Sequence, residues 1–550
     1  MRQTIAVLIL FSIVLSSPAL GQEGLAYNAT IYTMAEDADP AEAMAWDREG
    51  RILALGDSEG LQERFSDKPR HDLQGRVIIP GLIDAHGHIM NLGLSRLQAD
   101  LGGTESVEEV IEVLREHEKT LPDEAWLTGR GWDQTRWPEA EFPLASDLDE
   151  AFPDRPVWLV RVDGHAAWAN QAAMDRADKD LSGDWQPRGG QIFRDGDQQP
   201  TGIFIDTAMG EISSAIPETS EAEREHALDL ALEEIARMGL TGVHEAGTSQ
   251  DDLRRYLHRE ATDGLTVRIF GYADGDGAML ASLCRNGKVE TRRIAVRGVK
   301  LYTDGALGSR GAALLEDYAD DPGNTGLLFE SDEDLQEVVD RAMECGLQLA
   351  IHAIGDAANR QAIDVIAAGR ERIADNPGRH RIEHVQIIDP EDIPRLAEAE
   401  IVASMQPVHA TSDMRWAEDR LGPDRLEGAY AWQRILDAGA VLALGSDFPV
   451  EPVNPMYGIH AAVTRQDRDG NPEGGWLPGQ RLSIEQALAG FTRDAAYAGF
   501  AEEHTGTLEP GKLADFVVLD TDPFEADPET LHEIEVLMTV VGGETVFERD

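Results

Sequence analysis

Eight apolar runs recur between residues 77 and 445, and amphipathic stretches separate most of them. The runs are Val77–Ala85, Leu240–His244, Thr266–Tyr272, Ile294–Tyr302, Leu347–Ile351, Arg379–Glu383, Ile401–Met405 and Val441–Gly445. Stretches such as "DEDLQEVVDRAMECG" and "AANRQAIDVIAAGRERI" carry apolar residues at helical spacing between them. Strands alternating with helices of this length predict a parallel α/β sheet, and eight such steps predict a (β/α)8 TIM barrel. Such a barrel presents its active site at the C-terminal ends of its strands. Both chain ends have a different texture, with short alternating segments and tight turns ("LAYNATIYTM", "GTLEPGKLADFVVLD"). They predict one small β-sandwich built from residues 22–79 and 500–550, with the barrel over 80–499. The long gap after the first strand, residues 90–225, reads as an insertion with its own strands and a helix.

The first residues read as a cleavable leader: Arg2, the apolar run Ile5 to Val14, then small residues at Ala19 and Gly21. A signal peptide over 1–21 implies a secreted or periplasmic protein with no membrane attachment once mature. The two cysteines, Cys284 and Cys345, do not make a disulfide framework. Cys345 reads as the end of a core-facing helix, so two free, buried thiols are expected. The chain carries 102 Asp and Glu against 48 Lys and Arg, a formal charge of −54 spread along its whole length. That charge excludes binding to nucleic acid or to anionic membranes. Dispersed acid with few lysines suits a halophilic protein, because salt screens the self-repulsion. The expected partner is a small-molecule substrate; a homodimer is one option for assembly.

The ends of the predicted strands carry the chemistry. "PGLIDAHGHIMNLG" puts His86 and His88 two residues apart, and on a strand such residues point the same way. With 15 histidines in the chain an H-x-H is expected by chance roughly 0.4 times, so the pair alone says little. The fourth strand carries Lys300, the fifth ends at His352, the sixth at His384 and the eighth at Asp447. Each is a charged or ligating group at an apolar run, where burial without a partner is costly. Convergence on a metal explains all six together. Taken singly, His352 reads as a core histidine, Asp447 as a cap and Lys300 as an ion-pair partner.

This set resembles the amidohydrolase superfamily, and more narrowly the amidohydrolase family 3 branch that includes N-substituted formamide deformylases. The resemblance extends over nearly the whole mature chain, through "VDGHAAWAN", "PTGIF", "GVKLYTDGALGSR", "IHAIGDAA", "RIEHVQ", "MQPVHATSD", "GSDFPV" and "GTLEPGKLADFVVLD". In the physical reading, His86 and His88 with Asp447 hold one divalent metal, and His352 with His384 hold a second. Imidazole suits Zn2+ with a position left open for water. The resemblance implies that Lys300 reacts with carbon dioxide to N6-carboxylysine and bridges two metals; without that change a one-metal site follows. A metal-activated hydroxide would attack a carbonyl carbon, with Asp447 as base and then acid.

Four further residues are expected at the substrate: His165 in the insertion, Asp304 and Arg310 after the fourth strand, and His409 after the seventh. Arg310 is placed to hold a carboxylate or to pair with one of many acids. His244, ending the second strand, is expected near the mouth. The tryptophans at 132, 137, 158 and 168 read as core or as a lid. His71, His117, His226, His258, His380, His504 and His532 lie in polar contexts and read as solvated. The expected activity is an exported, metal-dependent hydrolase of a non-peptide carbon–nitrogen bond, an amide or an N-acyl or N-formyl group. A one-metal deaminase or cyclic-amide hydrolase is the alternative enzyme. A non-catalytic binding protein is the alternative of another class.

Overall fold

The computed structural model describes residues 23–549 apart from 37, 123–124, 135–136, 139–140, 162–165, 188–189, 276, 374 and 377. The expected leader over 1–21 and His165 lie outside the described residues. No helix among the described residues is long and apolar enough to cross a membrane. The chain divides into two compact units, the described residues of Met1–Gly87, Ile235–Asp447 and Glu451–Asp550, and those of His88–Glu234 with Phe448–Val450.

The first unit contains the barrel. Its strands are β1 (Leu82–Gly87), β2 (Leu240–Thr248), β3 (Arg268–Asp274), β4 (Ile294–Tyr302), β5 (Gln348–Ala353), β6 (Arg381–His384), β7 (Val402–Met405) and β8 (Leu442–Leu444). They pair parallel and in chain order from β1 to β8. At the remaining seam the Asp447 amide just past β8 donates to the His86 carbonyl of β1 at 2.7 Å, which nearly closes the ring. All eight runs read from the sequence are strands here, because fully buried parallel strands are apolar on both faces.

One run divides. Val77–Pro80 belongs to the strand Arg70–Pro80, which pairs antiparallel with Phe516–Leu519 in a seven-stranded sheet made by the two chain ends. The barrel strand starts only at Leu82. Gly81 makes the junction: a Cβ there would lie 2.2 Å from Thr241 Oγ1, so only glycine lets the chain pass this close to β2. Leu25, Trp46, Ile78, Phe516 and Val518 are buried in this sheet.

The cysteine expectation is overturned. Cys284 and Cys345 form a disulfide with Cα atoms 5.1 Å apart. It ties the helix Ala278–Asn286 after β3 to the end of the helix Asp332–Glu344 before β5. The core face of the latter helix is Leu335, Val339, Ala342 and Met343; Cys345 is its C-cap and turns to the neighbouring helix instead.

The second unit is built on a six-stranded mixed sheet, in the order Gly190–Arg194, Pro200–Asp206, Ala166–Ala169, Val157–Arg161, Leu127–Trp132 and Ala99–Asp100. Trp132, Trp137, Trp158 and Trp168 are all at most 6% exposed and form its core rather than a lid.

Candidate metal centre

The strand ends of the barrel bring five of the expected side chains together. His86 lies on β1, Lys300 on β4, His352 on β5 and His384 at the end of β6, while Asp447 follows β8. Lys300 Nζ is 3.2 Å from His86 Nε2. Asp447 Oδ1 is 3.6 Å from the same nitrogen. The ring of His384 is centred 4.8 Å from that of His86 and 4.5 Å from that of His352. Two groups of three offer ligand atoms within 4.8 Å of one another: His86, His88 and Asp447, and His384, His409 and Asp447. His409 was expected to touch substrate; its Nε2 is 3.8 Å from Asp447 Oδ2.

Backbone geometry aims these groups. His384, Val385 and Asp447 all adopt left-handed conformations, with φ of +76°, +44° and +62°. Such angles are uncommon for side-chain-bearing residues and most so for a β-branched valine. Each costs on the order of 1–3 kcal/mol and persists only where surrounding contacts hold it, commonly at functional sites.

The imidazoles are oriented by partners on their far nitrogens, the usual arrangement for metal-binding histidine. His86 Nδ1 donates to Glu383 Oε2 at 2.5 Å, which leaves Nε2 bare. His384 Nδ1 donates to Gln406 Oε1 at 2.8 Å, with the same result. Glu383 is itself paired with Arg381, and both are 1% exposed. Burial pushes the Glu383 carboxyl up, but Arg381 and Lys300 outweigh it and hold the group below its usual range. Arg381 also donates to His244 Nδ1, Tyr272 Oη, Ser404 Oγ and the Ala85 carbonyl. On β1 itself, Asp84 accepts from the His86 amide and from the amide and hydroxyl of Ser446; burial raises it to about 7.

Burial also shifts the groups facing the centre. Lys300 is lowered to about 8, chiefly by desolvation, against the pull of Glu383 and Asp447. His352 is lowered to about 3 by burial and then by the Lys300 charge, so it is neutral at pH 7. A metal fits this set. Imidazole and carboxylate are the donors such ions take, and His352 Nε2 is buried with no hydrogen-bond partner among the described residues.

The other expected residues are placed differently. Asp304, 1% exposed, accepts from the amides of Ala313, Ile354 and Gly355, and burial pushes it to about 7. Its Oδ1 lies 3.5 Å from His352 Nε2. Arg310 makes a two-pronged pair with Asp320. His244 is not at the mouth: β2 continues to Thr248, and His244 is buried against Arg381. His380, read as solvated, is 1% exposed, and its Nδ1 accepts from the Leu349 amide.

Sequence reasoning missed Glu383, Arg381, Asp84 and the two glutamines that touch histidines, Gln386 and Gln406. A signal was present. Asp84 falls in step with His86 on one strand, and Arg381 with Glu383 on another, charged residues on a single face of an apolar run.

Comparison with known proteins agrees with this geometry. An amidohydrolase family model matches residues 71–547. The putative amidohydrolase YtcJ of Bacillus subtilis is 34% identical over 527 residues, covering 94% of this chain and 98% of that protein. The N-substituted formamide deformylase of Arthrobacter pascens is 27% identical over 518 residues, covering 91% and 94%. The crystal structure of an uncharacterized metal-dependent hydrolase from Pyrococcus horikoshii superposes with a TM-score of 0.77 at 29% identity, over 92% of this chain and 99% of that one. Fold, metal-binding side chains and sequence therefore agree: the chain belongs to the amidohydrolase family, hydrolases that act on carbon–nitrogen bonds other than peptide bonds.

Proposed function

We propose that this protein is an exported, zinc-dependent hydrolase of small amides carrying an N-acyl or N-formyl group. The observation that carries the reading is the convergence of His86, Lys300, His352, His384 and Asp447 at the strand ends of one barrel. His86 and His88 with Asp447 would hold one ion, and His352 with His384 a second. Lys300, whose ammonium form is disfavoured by burial, is suited to carry a carboxyl group as N6-carboxylysine, which would add an anionic donor to the centre. When bound, such ions polarise a carbonyl and make water acidic enough to attack it near neutral pH.

The protein's own part is orientation and proton transfer. Glu383 and Gln406 hold the rings of His86 and His384 with Nε2 towards the centre. Asp447, fixed by its left-handed backbone, receives the proton from the attacking water and returns it to the leaving nitrogen. The formamide deformylase relative supports an N-formyl substrate. The apolar leader and the Cys284–Cys345 bridge both favour an oxidising compartment outside the cytoplasm. The dispersed acid favours a saline one.

Purified protein should be screened against N-formyl amines, N-acyl amines and cyclic amides, with metal per chain and the mass of the Lys300 peptide determined in parallel. Two metals with a carboxylated lysine support the reading; a single metal on an unmodified lysine favours the one-metal alternative. Asp447→Asn should keep the fold and lose roughly 10²–10⁴-fold in kcat. Near-parental turnover in that variant would refute its assigned role.

A further inference from the structure

His384 and His409 are neighbours whose rings stack with centroids 5.9 Å apart, yet their hydrogen-bond partners are of opposite kinds. The Nδ1 of His384 faces Gln406 Oε1, a carbonyl oxygen that only accepts. The Nδ1 of His409 faces Gln386 Nε2 at 3.1 Å, an amide nitrogen that only donates. A ring nitrogen that accepts carries no hydrogen, so the hydrogen of the His409 ring sits on Nε2. His384 therefore shows the centre a lone pair, and His409 shows it an N–H.

That N–H has no acceptor among the described residues. His409 is 8% exposed, and its Nε2 is buried without a hydrogen-bond partner among them. The nearest carboxylate oxygen, Asp447 Oδ2, is 3.8 Å away, beyond hydrogen-bond reach. A buried donor left unpaired is costly, and one aimed at a catalytic centre is explained by an acceptor that arrives with the substrate. Position agrees with this. His409 stands on the helix Pro407–Asp413 directly after β7, at the C-terminal end of the strand where substrate binds in such barrels.

We propose that His409 is a catalytic hydrogen-bond donor rather than a metal ligand, and that Gln386 is the positioning residue that keeps the hydrogen on Nε2. The inference rests on the amide-hydrolysis reading above and deepens it. As the water oxygen bonds to the carbonyl carbon, the electron pair of the C=O bond moves onto the carbonyl oxygen, and His409 Nε2–H donates to that oxygen. The substrate must therefore present an oxygen at the reacting carbon, as formamides, N-acyl amines and cyclic amides do. A donor of this kind is worth about 10²–10³-fold in kcat.

The assignment is tested first without any substrate. In histidine-15N-labelled protein, both stripped of metal and loaded with zinc, His409 should show a bare Nδ1 and a protonated Nε2, while His384 shows the reverse when metal-free. His409→Ala should retain the parental zinc content, and with the amide identified by screening it should lose about 10²–10³-fold in kcat with little change in KM. Gln386→Glu supplies an acceptor in place of a donor and should move the hydrogen to Nδ1, lowering kcat similarly while zinc stays bound. A protonated Nδ1 in the parent protein, or loss of zinc in His409→Ala, would overturn the proposal and make His409 a ligand. If no amide is hydrolysed while the nitrogen assignments hold, the substrate reading falls and the catalytic role falls with it, leaving Gln386 as the residue that sets the His409 hydrogen.

Discussion

Replacing Glu383 with glutamine isolates what a single buried carboxylate does for the centre. In the parent, both carboxylate oxygens accept, one from His86 Nδ1 and both from the Arg381 guanidinium. Glutamine has one accepting oxygen and one donating nitrogen, so it must confront either Arg381 or His86 with a donor. Facing Arg381, the amide leaves a buried guanidinium without its counter-charge, and breaking a buried pair this way costs about 3–5 kcal/mol. Facing His86, it pushes the ring hydrogen onto Nε2, the atom needed by the metal. Loss of such a supporting contact typically lowers metal affinity 10–100-fold. The assays are zinc competition against a chromogenic chelator and thermal unfolding of the metal-stripped protein. Glu383→Gln should lose affinity by at least tenfold and be less stable without metal. In the double variant Arg381→Met/Glu383→Gln the stranded charge is gone, so stability should partly recover while zinc affinity does not. Zinc binding within twofold of the parent in the single variant would refute the positioning argument.

Cys284→Ser should destabilise the oxidised protein by up to about 4 kcal/mol, because the bridge closes a loop across a separation of 61 residues; equal melting of both forms under oxidising conditions would count against a stabilising bridge. Asp304 is pushed up to about 7 by burial, so between about pH 4 and 7 the folded state binds the extra proton and stability falls as pH rises. Asp304→Asn removes that titration, and the parent-minus-variant difference should fall by about 4 kcal/mol across the window; a flat difference curve would contradict it. Raising salt from 0.1 to 1 M shortens the screening length from about 10 to 3 Å and should raise the melting temperature of a chain with charge −54; a protein equally stable in dilute buffer would end the halophile reading.

The barrel was legible because all eight strands are apolar runs and five of them also carry, near or just past their ends, a histidine, lysine or aspartate of the expected set. What the sequence hid follows from the same physics. Val77–Ala85 reads as one strand because hydrophobicity is continuous across it, whereas the division at Gly81 depends on the distance to Thr241. The bridge was missed because Cys345 ends an amphipathic helix, and whether a C-cap turns inward or sideways is a tertiary matter. Asp304 and Arg310 follow a ligand-bearing strand, which is why both are expected at the substrate; Asp304 pins three backbone amides, and Arg310 meets Asp320 ten residues on, the acid pairing that is one of its two readings. His380 sits among arginines in the sequence but is folded under β5.

The junction at Gly81 bears on how the molecule is made. The segment leading into β1 is anchored by Phe516–Leu519, almost at the other end of the chain. A polypeptide emerging from the ribosome thus exposes His86 long before the segment that fixes its neighbourhood has been synthesised. Pairing of such remote partners is a late event in folding. A metal held at this centre would therefore have its finished cage only once Phe516–Leu519 has been made and has paired, wherever that takes place.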